Sequence, residues 1–153
     1  MDQHKGTGGH VIDDKWAKRF LSLARQVSTW SKDPSTRVGA VVADQYNRVV
    51  STGYNGYPRG TSDEVYDREE KLRRTLHAEM NAILFAQRDL KGCTMYVTHA
   101  PCAHCMTAIV QCGLKRVVHL PMSDAFVERW GDDLRAALRL AGEAGLLVYA
   151  VEA

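Results

Sequence analysis

The sequence predicts a three-layer α/β fold with a mixed five-stranded sheet. Two observations carry this. Amphipathic stretches with apolar residues three and four apart alternate with short apolar runs of strand length. The first two of those runs sit close enough to pair as a hairpin, whereas the later ones are separated by helices, which calls for parallel crossovers. A chain of 153 residues holds one such domain and leaves no room for a second large one.

The elements follow in order. Asp13 and Asp14 precede a stripe of Trp16, Phe20, Leu23, Ala24 and Val27, a helix expected to stop near Trp30. Asp33-Pro34 and Ser35-Thr36 read as a turn. Residues 38–43 form an apolar run suited to a buried strand, and residues 48–54 resume strand character after a turn. Asn55 to Gly60 is a loop. Residues 63–73 are highly charged and partly helical. Residues 76–87 predict a helix with Met80, Ile83 and Leu84 facing inward. A short strand at 94–98 leads to a helix at 103–112, closed by Gly113. A strand at 117–120 and a loop with Pro121 follow, and Trp130 is placed in that loop region. Leu134, Ala137, Leu138 and Ala141 form a further helical stripe, and residues 146–151 the last strand.

Residues 1–12 read as a mobile tail and residues 13–153 as the domain. Composition is that of a packed globule, 45% hydrophobic and 25% charged. Lysine plus arginine is 20 against 18 acidic residues, a net charge of +2. That balance does not favour nucleic acid as a partner. The basic cluster Arg68, Lys71, Arg73 and Arg74 is diluted by Asp67, Glu69 and Glu70. No apolar run reaches the roughly 18–20 residues of a membrane span, and the N-terminus lacks a secretory apolar segment.

The chemistry concentrates in two segments, His77-Ala78-Glu79 and Pro101-Cys102-Ala103-His104-Cys105. Cys102 and Cys105 are i and i+3, so a helix start places both sulfurs on one face. His77, at the start of the preceding helix, can add a nitrogen. One nitrogen and two sulfurs suit zinc and leave a fourth position open for water. Glu79 need not be a ligand; beside an activated water it can shuttle a proton. Attack of that water on an amidine carbon gives hydrolytic deamination. Reduced thiolates fit a cytoplasmic protein.

Plainer roles compete. A lone Cys-x-x-Cys also fits half of a four-cysteine structural site, but Cys93 and Cys112 form no second pair and read as small buried side chains. His104 should point away from the sulfurs. His99 and His119 could line a pocket or serve ordinary packing. A non-enzymatic zinc module would need no Glu79.

The His-Ala-Glu and Pro-Cys-x-x-Cys pair resembles the cytidine/deoxycytidylate deaminase superfamily. Ser31-Lys32-Asp33-Pro34-Ser35, Val38-Gly39-Ala40, Thr52-Gly53-Tyr54-Asn55-Gly56, His77 to Ala82 and Lys91 to Val97 are similar to the deoxycytidylate (dCMP) deaminase branch, over nearly the whole chain. The resemblance implies a cytidine-deaminase-like fold, zinc held by His77, Cys102 and Cys105, and Glu79 as the catalytic acid/base. It implies conversion of dCMP to dUMP and ammonia, supplying thymidylate synthesis. Asn55 matches the family's sugar-binding asparagine, Val38 and Ala40 should lie near the pyrimidine, and Ala78 can offer a carbonyl to the base. Phosphate candidates are Arg59, Arg37 and Lys32, with Ser31 and Arg68 behind them. Family members imply a homo-oligomer, hexameric in many cases, with dCTP and dTTP as effectors. A structural second zinc is not expected, since residues 60–76 contain neither cysteine nor histidine. The alternatives within deaminase chemistry are a free or modified cytosine nucleoside and, further off, a base in nucleic acid.

Overall fold

A computed structural model describes residues 14–64 and 66–153. The expected tail, residues 1–12, lies outside the described residues. The elements are α1 (Asp14–Ser28), β1 (Gly39–Ala43), β2 (Val49–Tyr54), α2 (Arg68–Arg74), α3 (Ala78–Ala86), β3 (Thr94–Val97), α4 (Ala103–Gln111), β4 (Arg116–His119), α5 (Asp124–Glu143) and β5 (Leu147–Ala150).

The five strands form one sheet in the order β2-β1-β3-β4-β5. β1 pairs antiparallel with β2 and with β3, whereas β3, β4 and β5 are parallel. Such a mixed sheet follows from the connections. A turn at 44–47 suffices for the β1–β2 hairpin, and helical crossovers bring β4 and β5 back in the same direction.

Strand alternation sorts side chains into two cores. Ala40, Val42, Met95, Val97 and Val117 face α3, α4 and α5. Val41, Ala43, Tyr96 and Val118 face α1, where they meet Ala17, Phe20, Leu21, Ala24 and Val27. Every position of β1 is buried because helices cover both faces.

Two close approaches set the layer spacing. A Cβ at Gly39 would lie 2.0 Å from the Ala24 carbonyl oxygen of α1, and one at Gly53 would lie 2.4 Å from the Ala78 carbonyl oxygen of α3. Glycine at both positions lets helix backbone touch strand backbone.

Three expectations need correction. Leu84 is 57% exposed rather than inward, since α3 turns Ala78, Glu79 and Ala82 to the core. Leu138 is 51% exposed and stands outside the buried stripe of Leu134, Ala137 and Ala141. Trp130 is not in a loop but inside α5, whose start is fixed by the Ser123 hydroxyl accepting from the Phe126 N–H at 3.1 Å.

Candidate active site

The N-termini of α3 and α4 converge. His77 is the N-cap of α3 and Cys102 the N-cap of α4, both with extended backbone. The His77 side chain makes no capping bond, so its ring is free for other partners. Its Nδ1 lies 3.6 Å from Cys102 Sγ and 3.4 Å from Cys105 Sγ. The three donor atoms lie within 4.8 Å of one another.

These distances suit a tetrahedral ion. With Zn–S about 2.3 Å and Zn–N about 2.0–2.1 Å, the nitrogen–sulfur edge of a tetrahedron is about 3.6 Å. The donor set fits zinc in type and spacing, and three protein ligands leave one corner open.

Without an ion, the three donors share protons among themselves. A hydrogen bond from the Cys105 side chain pushes the Cys102 thiol down to about 4, against its burial, with His77 adding to the effect. Cys105 shifts upward, because it shares its proton with that sulfur and is buried. The bond to Cys102 raises the His77 imidazole above its usual value, while burial opposes it. Metal binding displaces the proton that these groups share.

Glu79 lies in the first turn of α3 and is 4% exposed. Burial pushes its carboxyl up to about 7, while its own backbone N–H and the nearby His77 pull the other way. A carboxyl poised near neutrality suits a group that both accepts and returns a proton.

The other sequence candidates divide. Asn55 is 6% exposed and already holds the chain: its Oδ1 accepts from the Val38 N–H at 2.8 Å, and its Nδ2 donates to the Thr36 carbonyl at 2.8 Å. An amide keeps one further donor and one further lone pair after those two bonds. Val38 is half-buried, whereas Ala40 and Ala78 are buried in the core beneath α3. Ser31 is committed to the same loop, donating to the Asn55 carbonyl at 2.7 Å.

The cations scatter. Lys32 pairs with Asp63 at 2.7 Å beside Asn55, in a pocket of about 180 Å³. Arg59 lays its guanidinium 4.6 Å from the centre of the exposed Phe85 ring. Arg37 lines an open cleft of about 890 Å³ with Lys18, Thr98, His99 and Phe126. Arg68 opens α2 on the surface. Lys71, not among the sequence candidates, bonds Asp33 at 2.9 Å and so docks α2 on the 33–36 turn.

The histidines outside the triad have separate tasks. His104 is exposed. His119 Nδ1 faces the Leu120 carbonyl at 2.7 Å and must donate to it. Thr98 Oγ1 accepts from the Gly39 N–H at 3.2 Å, which leaves its hydrogen for His99 Nδ1 at 2.9 Å. Burial lowers both histidines, so each favours the neutral form. Sequence reasoning also missed Asp133, whose Oδ2 accepts from the Ala103 N–H at 2.9 Å. Its one sequence signal is a place beside the buried stripe begun by Leu134.

Fold and donor set together define a zinc hydrolase of the deaminase class. Residues 14–120 match the model of the cytidine and deoxycytidylate deaminase zinc-binding region. The chain belongs to that family. It is 49% identical over 136 residues to an uncharacterized deaminase in the luxG 3′ region of Aliivibrio fischeri, covering 88% of this chain and 92% of that one. It is 37% identical over 141 residues to human deoxycytidylate deaminase, covering 86% and 77%. Among solved structures, the dCMP deaminase of cyanophage S-TIM5 in complex with dCMP and dUMP superposes with a TM-score of 0.75 at 22% identity, over 92% of this chain and 99% of that one. The last likeness is one of fold.

Proposed function

We propose that this protein hydrolyses dCMP to dUMP and ammonia, with zinc held by His77, Cys102 and Cys105. The observation that carries the reading is the convergence of those three donors, at 3.4 and 3.6 Å, on the helix start that also bears the buried Glu79. Relatives named deoxycytidylate deaminase, at 37% identity in human and 34% in phage T2, support the substrate.

Bound at those donors, zinc supplies a positive centre that acidifies water. Glu79 takes a proton from the attacking water as the water oxygen bonds to C4 of the pyrimidine. It passes that proton to ring N3, then takes the second proton from the new C4 hydroxyl and gives it to the 4-amino nitrogen. The C4–N bond breaks and ammonia leaves, so dCMP plus water balances dUMP plus ammonia. Asn55 holds the deoxyribose with its remaining donor and lone pair. Val38 contacts the pyrimidine edge, backed by Ala40, and the Ala78 carbonyl accepts from the amino group. Arg37 meets the phosphate, since Lys32 and Arg59 already have partners.

Exposed Leu84 and Phe85 on α3, each 57% exposed, support assembly as a homo-oligomer, with dCTP and dTTP as effectors to test. No helix among the described residues is long and apolar enough to cross a membrane. Thiolate ligands must stay reduced, which supports a cytoplasmic location.

Ammonia release from dCMP, deoxycytidine, CMP and dCTP tests the reading. dCMP should turn over fastest. Equal turnover of deoxycytidine would overturn the monophosphate assignment.

A further inference from the structure

We propose that Asp133 of α5 is a positioning residue for the zinc centre, its carboxylate holding the first turn of α4 and thereby the Cys102 sulfur. The inference rests on the zinc reading above.

A helix start leaves its first N–H groups without partners inside the helix. In α4 the Cys105 N–H goes to Cys102 Sγ at 3.4 Å. The Ala103 N–H goes outside the helix, to Asp133 Oδ2 at 2.9 Å. That N–H lies in the peptide plane set by ψ of Cys102, which is 166°. Fixing the plane fixes how the Cys102 Cα–Cβ bond leaves the helix, and so where its sulfur sits.

Asp133 is itself held in place. Leu134 and Ala137 anchor this face of α5 at 7% and 1% exposure. The adjacent Asp132 turns outward to Arg135 instead. Of two neighbouring acids, only Asp133 faces α4. Its negative charge also offsets the positive end of α4, which would otherwise repel a cation, and it reaches His77 electrostatically. Partners one step behind metal ligands commonly govern affinity by 10- to 100-fold.

The test measures zinc affinity by chelator competition, and the visible spectrum of the cobalt(II)-substituted protein, for wild type, D133A, D133N and D132N. D133A should bind zinc about tenfold or more weakly and shift the cobalt spectrum. D133N keeps an acceptor but loses the charge, and should weaken zinc about threefold. D132N should match wild type. D133A with wild-type affinity and spectrum overturns the inference. If D133A does not fold, D133N indistinguishable from D132N overturns it instead. Wild-type protein that binds no zinc would overturn the zinc reading together with this inference, whereas zinc-binding wild type with an unchanged D133A removes this inference alone.

Discussion

A Cβ on Gly53 would stand 2.4 Å from the carbonyl oxygen of Ala78. β2 and the first turn of α3 therefore meet backbone to backbone, and this contact sets the height of His77 and Glu79 over the sheet. Gly53→Ala must push α3 outward, because the obstructing atoms are main chain and not a flexible side chain. Overpacking of this kind costs about 1–3 kcal/mol. Urea denaturation should show that loss, and zinc content per subunit should fall with it. An unshifted midpoint with full zinc would contradict the contact.

Glu79→Gln keeps the shape and removes the proposed proton carrier. The variant should retain zinc and lose activity by about 100-fold or more. Zinc analysis beside the ammonia assay checks both halves.

Metal-free protein exposes a second consequence of Glu79. Its carboxyl is raised from 4.5 to about 7 by burial. The folded state therefore holds that proton more tightly than the unfolded state. Stability from this group is present below pH 4.5, falls as pH rises from 4.5 to 7, and stays low above. The total is on the order of 3 kcal/mol. Denaturation of zinc-free wild type and E79Q across that range should show the variant gaining on wild type as pH rises. Parallel curves would mean that the carboxyl is not titrating there.

How much of this was legible in the sequence differs by residue. The convergence of His77, Cys102 and Cys105, which could hold a metal ion, was readable because each sits at a helix start, and local spacing fixes what a helix start presents. The strand expected at 38–43 was readable because its run is apolar, and Gly39–Ala43 proved buried throughout. Leu84 misled because α3 is apolar on most sides, so periodicity gives no direction to its buried face. Trp130 misled because the polar residues around it hid the continuity of α5. The charged candidates were least legible. Long side chains choose partners in space, as Lys32 does with Asp63 and Arg59 with Phe85.

Asp33 and Lys71 predict an acid-labile contact. Burial would raise the Asp33 carboxyl, but the Lys71 ammonium and the N–H groups of Ser35 and Thr36 outweigh it and hold it below its usual value. A depressed carboxyl contributes stability above its unfolded pKa, about 3.9, and loses it as pH falls through the folded value. Asp33→Asn should cost roughly 1–2 kcal/mol at neutral pH and nothing in strong acid. Thermal melts between neutrality and strong acid should show the two curves merging as pH falls; a constant gap would rule out the ionic contribution.

The three phosphate candidates separate by what already occupies them. Lys32 must break its 2.7 Å pair with Asp63 to meet an anion, and Arg59 must leave the Phe85 ring. Among the described residues, Arg37 makes only a long 3.4 Å bond to the Asp33 carbonyl, and it lines the open cleft. Arg37→Ala should therefore raise KM for dCMP about tenfold, the loss of one charge-assisted contact, while leaving the slower reaction with deoxycytidine unchanged. Arg59→Ala should shift KM less than twofold. Steady-state kinetics of both variants on both substrates decides the matter. An effect of Arg37→Ala that is equal on dCMP and deoxycytidine would move Arg37 from the phosphate to the scaffold, and a large KM effect at Arg59 alone would show that its stacking on Phe85 gives way when substrate binds.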